Sequence, residues 1–481
     1  MGDTLTLHLN ELKELKKRKK RTTNERIILG YALFISLFLL AAVPIAVFYT
    51  KEWNFFENLL QILFSPSRLL TDYFALGGLG STLFNAAVCG LLTNIIIYLC
   101  NVHANATTFA GYMLVIAHAF YGLNFINMWP PFIGVLLYCI IMRKKISENI
   151  HIAFFATALA PFVSELLFRY TVKNFNLSTP QTTWAGVILA IVCGIAIGFA
   201  VLPLLPATTT IHRGYSLYKA GLAIGILGIF IYGFMYSALG KSTPEDIIIT
   251  NPAYFALPYA YRGFMNIFFI ILFTATFIFG LLMSRKRLKD YGKLLKCTGY
   301  GTDFTDKFGM PICMINIAIY GFCIIAYLNL VFILPEIFPQ LPAGVGFTGP
   351  TAGIVFAAIT FAADGQHIRN VFPIVLGYVL LFAIVVIICS VAGVAIPWSL
   401  STQTYINALA FATGLCPIAG KYGIRYGILA GLLSAMICAI TADMHGGFVL
   451  YNSGFTAGLA ALVLIPMLDF YKVKPLHDDD I

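Results

Sequence analysis

Three short residue patterns each occur twice in this chain, in the same order, so the fold must accommodate two copies of one unit. Gly122, Asn127, Pro130 and Gly134 form GxxxxNxxPxxxG, and Gly365, Asn370, Pro373 and Gly377 repeat it. Phe155, Ala156, Thr157, Leu159, Pro161, Arg169 and Tyr170 return as Phe411, Ala412, Thr413, Leu415, Pro417, Arg425 and Tyr426. His212, Gly214, Tyr215, Leu217, Tyr218 and Gly221 are answered by His445, Gly447, Phe448, Leu450, Tyr451 and Gly454.

The medium comes from composition. With 59% hydrophobic and 11% charged residues, the chain has more apolar surface than a soluble core can hide, and it reads as an all-α polytopic membrane protein. Apolar runs from about residue 27 to 471 give about 12 to 14 membrane segments. Several are shorter than a straight span needs, and Pro or Gly interrupts many, so some are expected to be broken or re-entrant. The pattern divides into a basic tail (1–26), a first span with an interfacial segment (27–79), repeat 1 (80–238), an outer loop, span and basic linker (239–309), repeat 2 (310–471) and a short tail (472–481).

Charge orients these pieces. Lys16 to Arg21 form an unbroken basic block after Leu5, Leu9, Leu12 and Leu15, read as a topology signal and a contact for anionic lipid headgroups rather than nucleic acid. If each run crosses once, Arg143 to Lys145, Arg285 to Lys296, Lys421, Arg425, Lys472 and Lys474 all fall on the side of that block. This places both termini in the cytoplasm of a cell-membrane protein. The same count makes the repeats inverted, the arrangement typical of secondary transporters and some channels. The Pro- and Tyr-rich segment 250–259 reads as an outer cap.

Each motif suggests a task. Gly122 and Gly365, with their prolines, are expected to break helices, and Asn127 and Asn370 to satisfy the freed backbone or face a solute. Thr157 and Thr413 sit four residues before a proline, marking a kink or a binding contact. His212 and His445 place a titratable imidazole at equivalent positions, suited to binding a polar substrate or carrying a proton. Other ionisable residues within or beside apolar runs are His118, Glu165, Asp364, His367, Asp443 and Asp469, and carboxylates there are costly enough to suggest proton coupling by Glu165, Asp364, His367 and Asp443. Titratable groups gather in the second half, where Asp364 stands against Tyr121 and Asp443 against Thr210. Ten scattered cysteines without a CxxC pair suggest packing, and no metal or cofactor is indicated. The lack of a phosphate loop argues against ATP-driven transport by this chain alone.

The duplicated signatures resemble an uncharacterised group of bacterial multi-pass membrane proteins known as a domain of unknown function. The architecture is similar to that of urea transporters, which also use two inverted halves, although their selectivity motifs are absent. The leading expectation is a transporter or facilitative channel for a small polar solute or ion, sited between the repeats and open to homo-oligomerisation. The alternatives are an intramembrane enzyme for a lipid-linked substrate using Asp443 and His445, and a non-transporting scaffold or receptor.

Overall fold

In the computed structural model, residues 21–69, 71–177, 179–244, 258–284 and 288–476 are described. Lys16 to Lys20, the leucines before them, Arg285 to Arg287 and most of the segment 250–259 lie outside these residues. Ten helices among the described residues are long and apolar enough to cross a membrane, with three shorter apolar helices beside them. The first half comprises α1 (Thr23–Thr50), α2 (Phe55–Leu63), α3 (Tyr73–Leu99), α4 (Ala106–His118), α5 (Trp129–Ile141), α6 (Ile152–Tyr170), α7 (Trp184–Ile211) and α8 (Lys219–Ala238). The second comprises α9 (Pro258–Met283), α10 (Leu288–Leu294), α11 (Met310–Ile337), α12 (Gly349–Ala363), α13 (Ile368–Ala392), α14 (Gln403–Ala412), α15 (Cys416–Tyr422), α16 (Ile424–Asp443) and α17 (Asn452–Phe470).

Hydrogen bonds fix the direction of each half. The Arg21 guanidinium donates to the Val102 and Ile97 carbonyls, Asn24 Nδ2 to the Thr305 carbonyl, and the Ala106 amide to Asp303. The start of α1, the end of α3, the start of α4 and the start of α11 therefore share one face. Arg213 pairs with Asp469 and Tyr300 donates to the Arg213 carbonyl, which brings the end of α17 to the same face. We call it the terminal face. The second half starts from the far face, where Arg262 near the beginning of α9 meets Glu336 near the end of α11, so the two halves are inverted.

Between α4 and α5 the chain turns back, and between α12 and α13 it does so again from the opposite direction. Short helices suffice because the tips of these hairpins are buried in protein, where an amide side chain receives them. Asn85 Nδ2 donates to the Ala119 carbonyl at 2.8 Å and the Leu123 carbonyl at 2.9 Å. Asn316 Nδ2 donates to the Ala362 carbonyl at 2.8 Å and the Gln366 carbonyl at 2.7 Å. A second repair lies at Gly78, whose φ of 77° interrupts α3, where Glu52 accepts from the Leu79 and Gly80 amides.

The proline and last glycine of GxxxxNxxPxxxG seat one helix on another. A Cβ on Gly134 would lie 2.4 Å from the Ile195 carbonyl oxygen, and one on Gly377 2.3 Å from that of Ile428. Pro130 packs against Gly194 and Pro373 against Gly427 in the same way. Backbones approach this closely where small residues line a membrane helix interface. Gly134→Ala and Gly377→Ala should each lower stability in detergent by about 1–3 kcal/mol through overpacking. At Gly30, which faces open space, the same change should add about 0.5–1 kcal/mol by helix propensity alone, and thermal unfolding of the three variants reads the contrast in sign.

Candidate functional site

The three repeated patterns meet in space, and they do so across the halves. The Leu450 amide of the second half donates to the Ala158 carbonyl in the first at 3.0 Å, and the Leu217 amide of the first donates to the Gly414 carbonyl in the second at 2.9 Å. The same two leucines press on the hairpin tips, Leu450 against Gly122 and Leu217 against Gly365. Gly122, at φ 80°, and Gly365, at φ 135°, have the left-handed backbone such a turn requires. Next along the chain, α8 and α17 cross where Gly221 faces Gly454, with 2.3 Å between a Cβ at Gly221 and the Gly454 carbonyl carbon. The equivalent tyrosines Tyr218 and Tyr451 then meet with ring centroids 5.7 Å apart.

Around Tyr451 the interior becomes polar. His118, the last residue of α4, lies edge-on to Tyr121 at 5.7 Å and to Tyr451 at 6.1 Å between ring centroids. All three are at most 1% exposed. Both His118 nitrogens and the hydroxyls of Tyr121 and Tyr451 have no protein hydrogen-bond partner. Buried polar groups are nearly always satisfied, so three neighbouring side chains with unpartnered polar atoms stand out from the rest of the interior. The other half differs, since Phe361 stands where His118 does, and Tyr218 donates to the Ala357 carbonyl at 2.9 Å.

Aromatic layers close the centre towards both faces. On the far side Phe448 stacks on Phe162 at 4.8 Å and on Tyr236 at 5.8 Å, with the Arg68 guanidinium 5.0 Å from its ring centroid. Towards the terminal face the equivalent Tyr215 packs on Tyr300 at 4.5 Å and shares a hydrogen bond with Tyr422. Lys421 Nζ lies 4.3 Å from the Tyr300 ring centroid.

The residues singled out by sequence are spread over this frame. Asn127 Nδ2 donates to the Gly122 carbonyl and to Ser164, and its Oδ1 accepts from the Asn124 amide. Asn370 repeats the pattern with the Gly365 carbonyl and the His367 amide, adding the Thr298 carbonyl. These amides fasten the turns. Thr157 and Thr413 donate to carbonyls three residues back in their 3₁₀ turns, and Thr413 also accepts from Gln366 Nε2 at 2.8 Å. His212 is buried with no hydrogen-bond partner on either nitrogen, whereas His445 Nε2 bonds Asn452 Oδ1 at 2.8 Å. His367 caps α13 through Asn370 and reaches the Cys297 carbonyl. Asp443 is exposed at the end of α16, while His445 two residues on is buried.

Glu165 and Asp364 have distinct surroundings. The Arg169 guanidinium grips Glu165 at 2.6 to 3.0 Å, and Tyr236 donates to the same carboxylate at 2.8 Å, all within the far-side layer. Asp364 lines a cleft of about 500 Å³ at the terminal face with Thr209, Thr210, Arg213, Lys219 and Asp303. Burial pushes its carboxyl up to about 7, opposed by Lys219 and reinforced by Asp303. Sequence reasoning missed Asn85, Asn316 and Glu52, and left Tyr218, Tyr451 and Tyr121 without roles, although both members of the first tyrosine pair sit in a repeated motif.

The fold and this centre define a class: a polytopic helical membrane protein of two inverted repeats whose shared motifs meet at one buried point. More particularly, the chain belongs to the family described as protein of unknown function DUF1576, whose model matches residues 51–237 and 283–470, one stretch in each half. No curated protein and no solved structure matches it.

Arg169→Met should destabilise the protein by about 3–5 kcal/mol by leaving Glu165 charged and buried, and adding Glu165→Gln should restore part of the loss; chemical unfolding of the single and double variants measures the coupling. A carboxyl whose pKa is higher folded than unfolded favours the folded state most below its unfolded pKa. The Asp364 contribution therefore declines as pH rises from the ordinary carboxylate range through about 7. Asp364→Asn should flatten that part of a stability-against-pH curve.

Proposed function

We propose that the protein moves a small polar solute or ion across the cell membrane, with binding at the meeting point of the two repeats. The observation that carries this reading is the group of His118, Tyr121 and Tyr451, in which His118 packs on both tyrosines where motifs from the two halves interlock and the buried polar atoms have no protein partner. Leaving such groups unpaired costs about 1–3 kcal/mol each. A packing role would be better served by Phe or Leu, whereas a solute that exchanges hydrogen bonds with water needs these donors and acceptors. Two inverted copies give the centre an equivalent route to each face, and the aromatic layers at Phe448 and Tyr215 are the barriers on those routes.

Within this reading Asp364 is the coupling carboxylate. It lines a cleft on one route, and burial raises its carboxyl above the ordinary carboxylate range. The basic residues of the terminal face, among them Arg143, Lys144, Lys293, Lys472 and Lys474, orient that face towards the cytoplasm by the positive-inside rule.

Reconstitution in liposomes tests the proposal. Urea, glycerol and formamide gradients report solute flux by light scattering, and an enclosed pH dye reports proton movement. Tyr451→Phe and His118→Leu should abolish flux while leaving thermal stability equal to or above that of the parent, because each removes an unpaired buried polar group. Flux that persists in both variants would reject this centre as the site.

A further inference from the structure

We infer that the large cavity at the terminal face, between α13, α15 and α16, is a binding site for a phosphate-bearing anion. It has a volume of about 930 Å³ and is open to solvent, and the exposed Lys296, Arg369, Arg425 and Lys474 line it over an apolar floor that includes the buried Pro373 and Ala419. Among the described residues no carboxylate lines it, and none of the four cations forms an ion pair with a described residue. Four cations facing one concavity repel one another, and a multiply charged anion with several acceptor oxygens relieves that repulsion.

Comparison of the halves shows that this charge is specific to one of them. Counting from the repeated Phe-Ala-Thr, Arg425 corresponds to Arg169 and Lys421 to Glu165. In the first half Glu165 neutralises the arginine inside the protein. In the second, the carboxylate is replaced by Lys421, which turns away to lie over Tyr300, and Arg425 is left facing the cavity. Arg369 stands where the first half has Ile126. The corresponding far-face cavity is lined by Glu57, Gln61, Phe168 and Gln181, with no cation among the described lining residues. Topology alone would favour basic residues anywhere on the terminal face, but it does not account for their convergence on one concavity. The volume suits a small phosphorylated ligand or a lipid headgroup, and the apolar floor suits an adjoining acyl chain.

The site stands apart from the central one and does not depend on the transport proposal. Its test uses the full chain purified in a zwitterionic detergent and in nanodiscs. One arm measures pyrophosphate and inorganic phosphate binding by calorimetry; the other measures retention of phosphatidylglycerol or cardiolipin against phosphatidylcholine by native mass spectrometry. The parent should bind in at least one arm, and Arg369→Gln with Arg425→Gln should weaken that binding by about a hundredfold, or about tenfold for each charge-assisted hydrogen bond removed. Lys474→Gln is a milder single variant expected to cost a smaller factor, and it serves if the double variant does not fold. Lys144→Gln, on the same face but away from the cavity, should change nothing. Binding confined to the lipid arm identifies a headgroup, and binding confined to the phosphate arm identifies a soluble ligand. No binding in either arm, or an equal weakening in Lys144→Gln, overturns the inference.

Discussion

The hairpin tips depend on a pair of carbonyls that the helix can no longer satisfy. When α4 ends inside the protein, the Ala119 and Leu123 carbonyls have neither a next turn nor bulk water, and the Asn85 amide meets both. Asn316 does the same for the tip between α12 and α13. In an apolar medium an unsatisfied carbonyl costs several kcal/mol, so these asparagines permit the chain to turn at depth. The consequences reach the centre: once the tip is fixed, Gly122 can accept Leu450 and Gly365 can accept Leu217. That contact sets the position of the tyrosine next in sequence. A polar bond on a long helix thus determines where the aromatic rings of the other half meet.

The duplication and its inversion could be read from the sequence because they are written in spacing and in charge. The short hairpins could be anticipated because their apolar runs are too brief to span. The roles within the motifs were harder to read. Asn127 and Asn370 have the composition of solute ligands and act as turn fasteners, because the donors nearest to them are their own backbone. Asn85 and Asn316 lie outside any short repeated string, since both the rest of α11 and the loop after it are longer than their counterparts after Asn85, and a fixed-spacing comparison passes over them. The unpartnered state of His118 is a property of its neighbours, contributed by α17 as well as by its own segment.

The differences between the halves show which positions packing alone does not determine. Gly134 and Gly377 are retained in both copies because a Cβ fits at neither. The positions that diverge are charged or hydrogen-bonding: His118 against Phe361, Tyr121 against Asp364, and Glu165 against Lys421. Each exchange changes polarity while the surrounding backbone stays in register. The first places the unpartnered cluster on one side of the pseudo-symmetry axis, and the last opens a cationic cavity on one face only.

The two aromatic layers share a geometry but differ in what holds them. At the far side Arg68 donates to the Gly446 and Pro244 carbonyls as well as lying over Phe448, and Tyr236 is tied to the Glu165–Arg169 pair. Towards the terminal face Lys421 has an ammonium over aromatic rings and no carboxylate at the position of Glu165. A cation over an aromatic ring contributes about 0.5–2 kcal/mol, whereas separating a buried ion pair costs about 3–5 kcal/mol. The layer near the terminal face is the one flanked by the clefts that hold Asp364 and Arg425, and it is tied by Tyr300 to the Arg213 carbonyl and by Tyr215 to Tyr422 rather than by a buried ion pair at the position of Glu165. On the transport reading, the far-side layer moves only when something compensates the Glu165 and Arg169 charges.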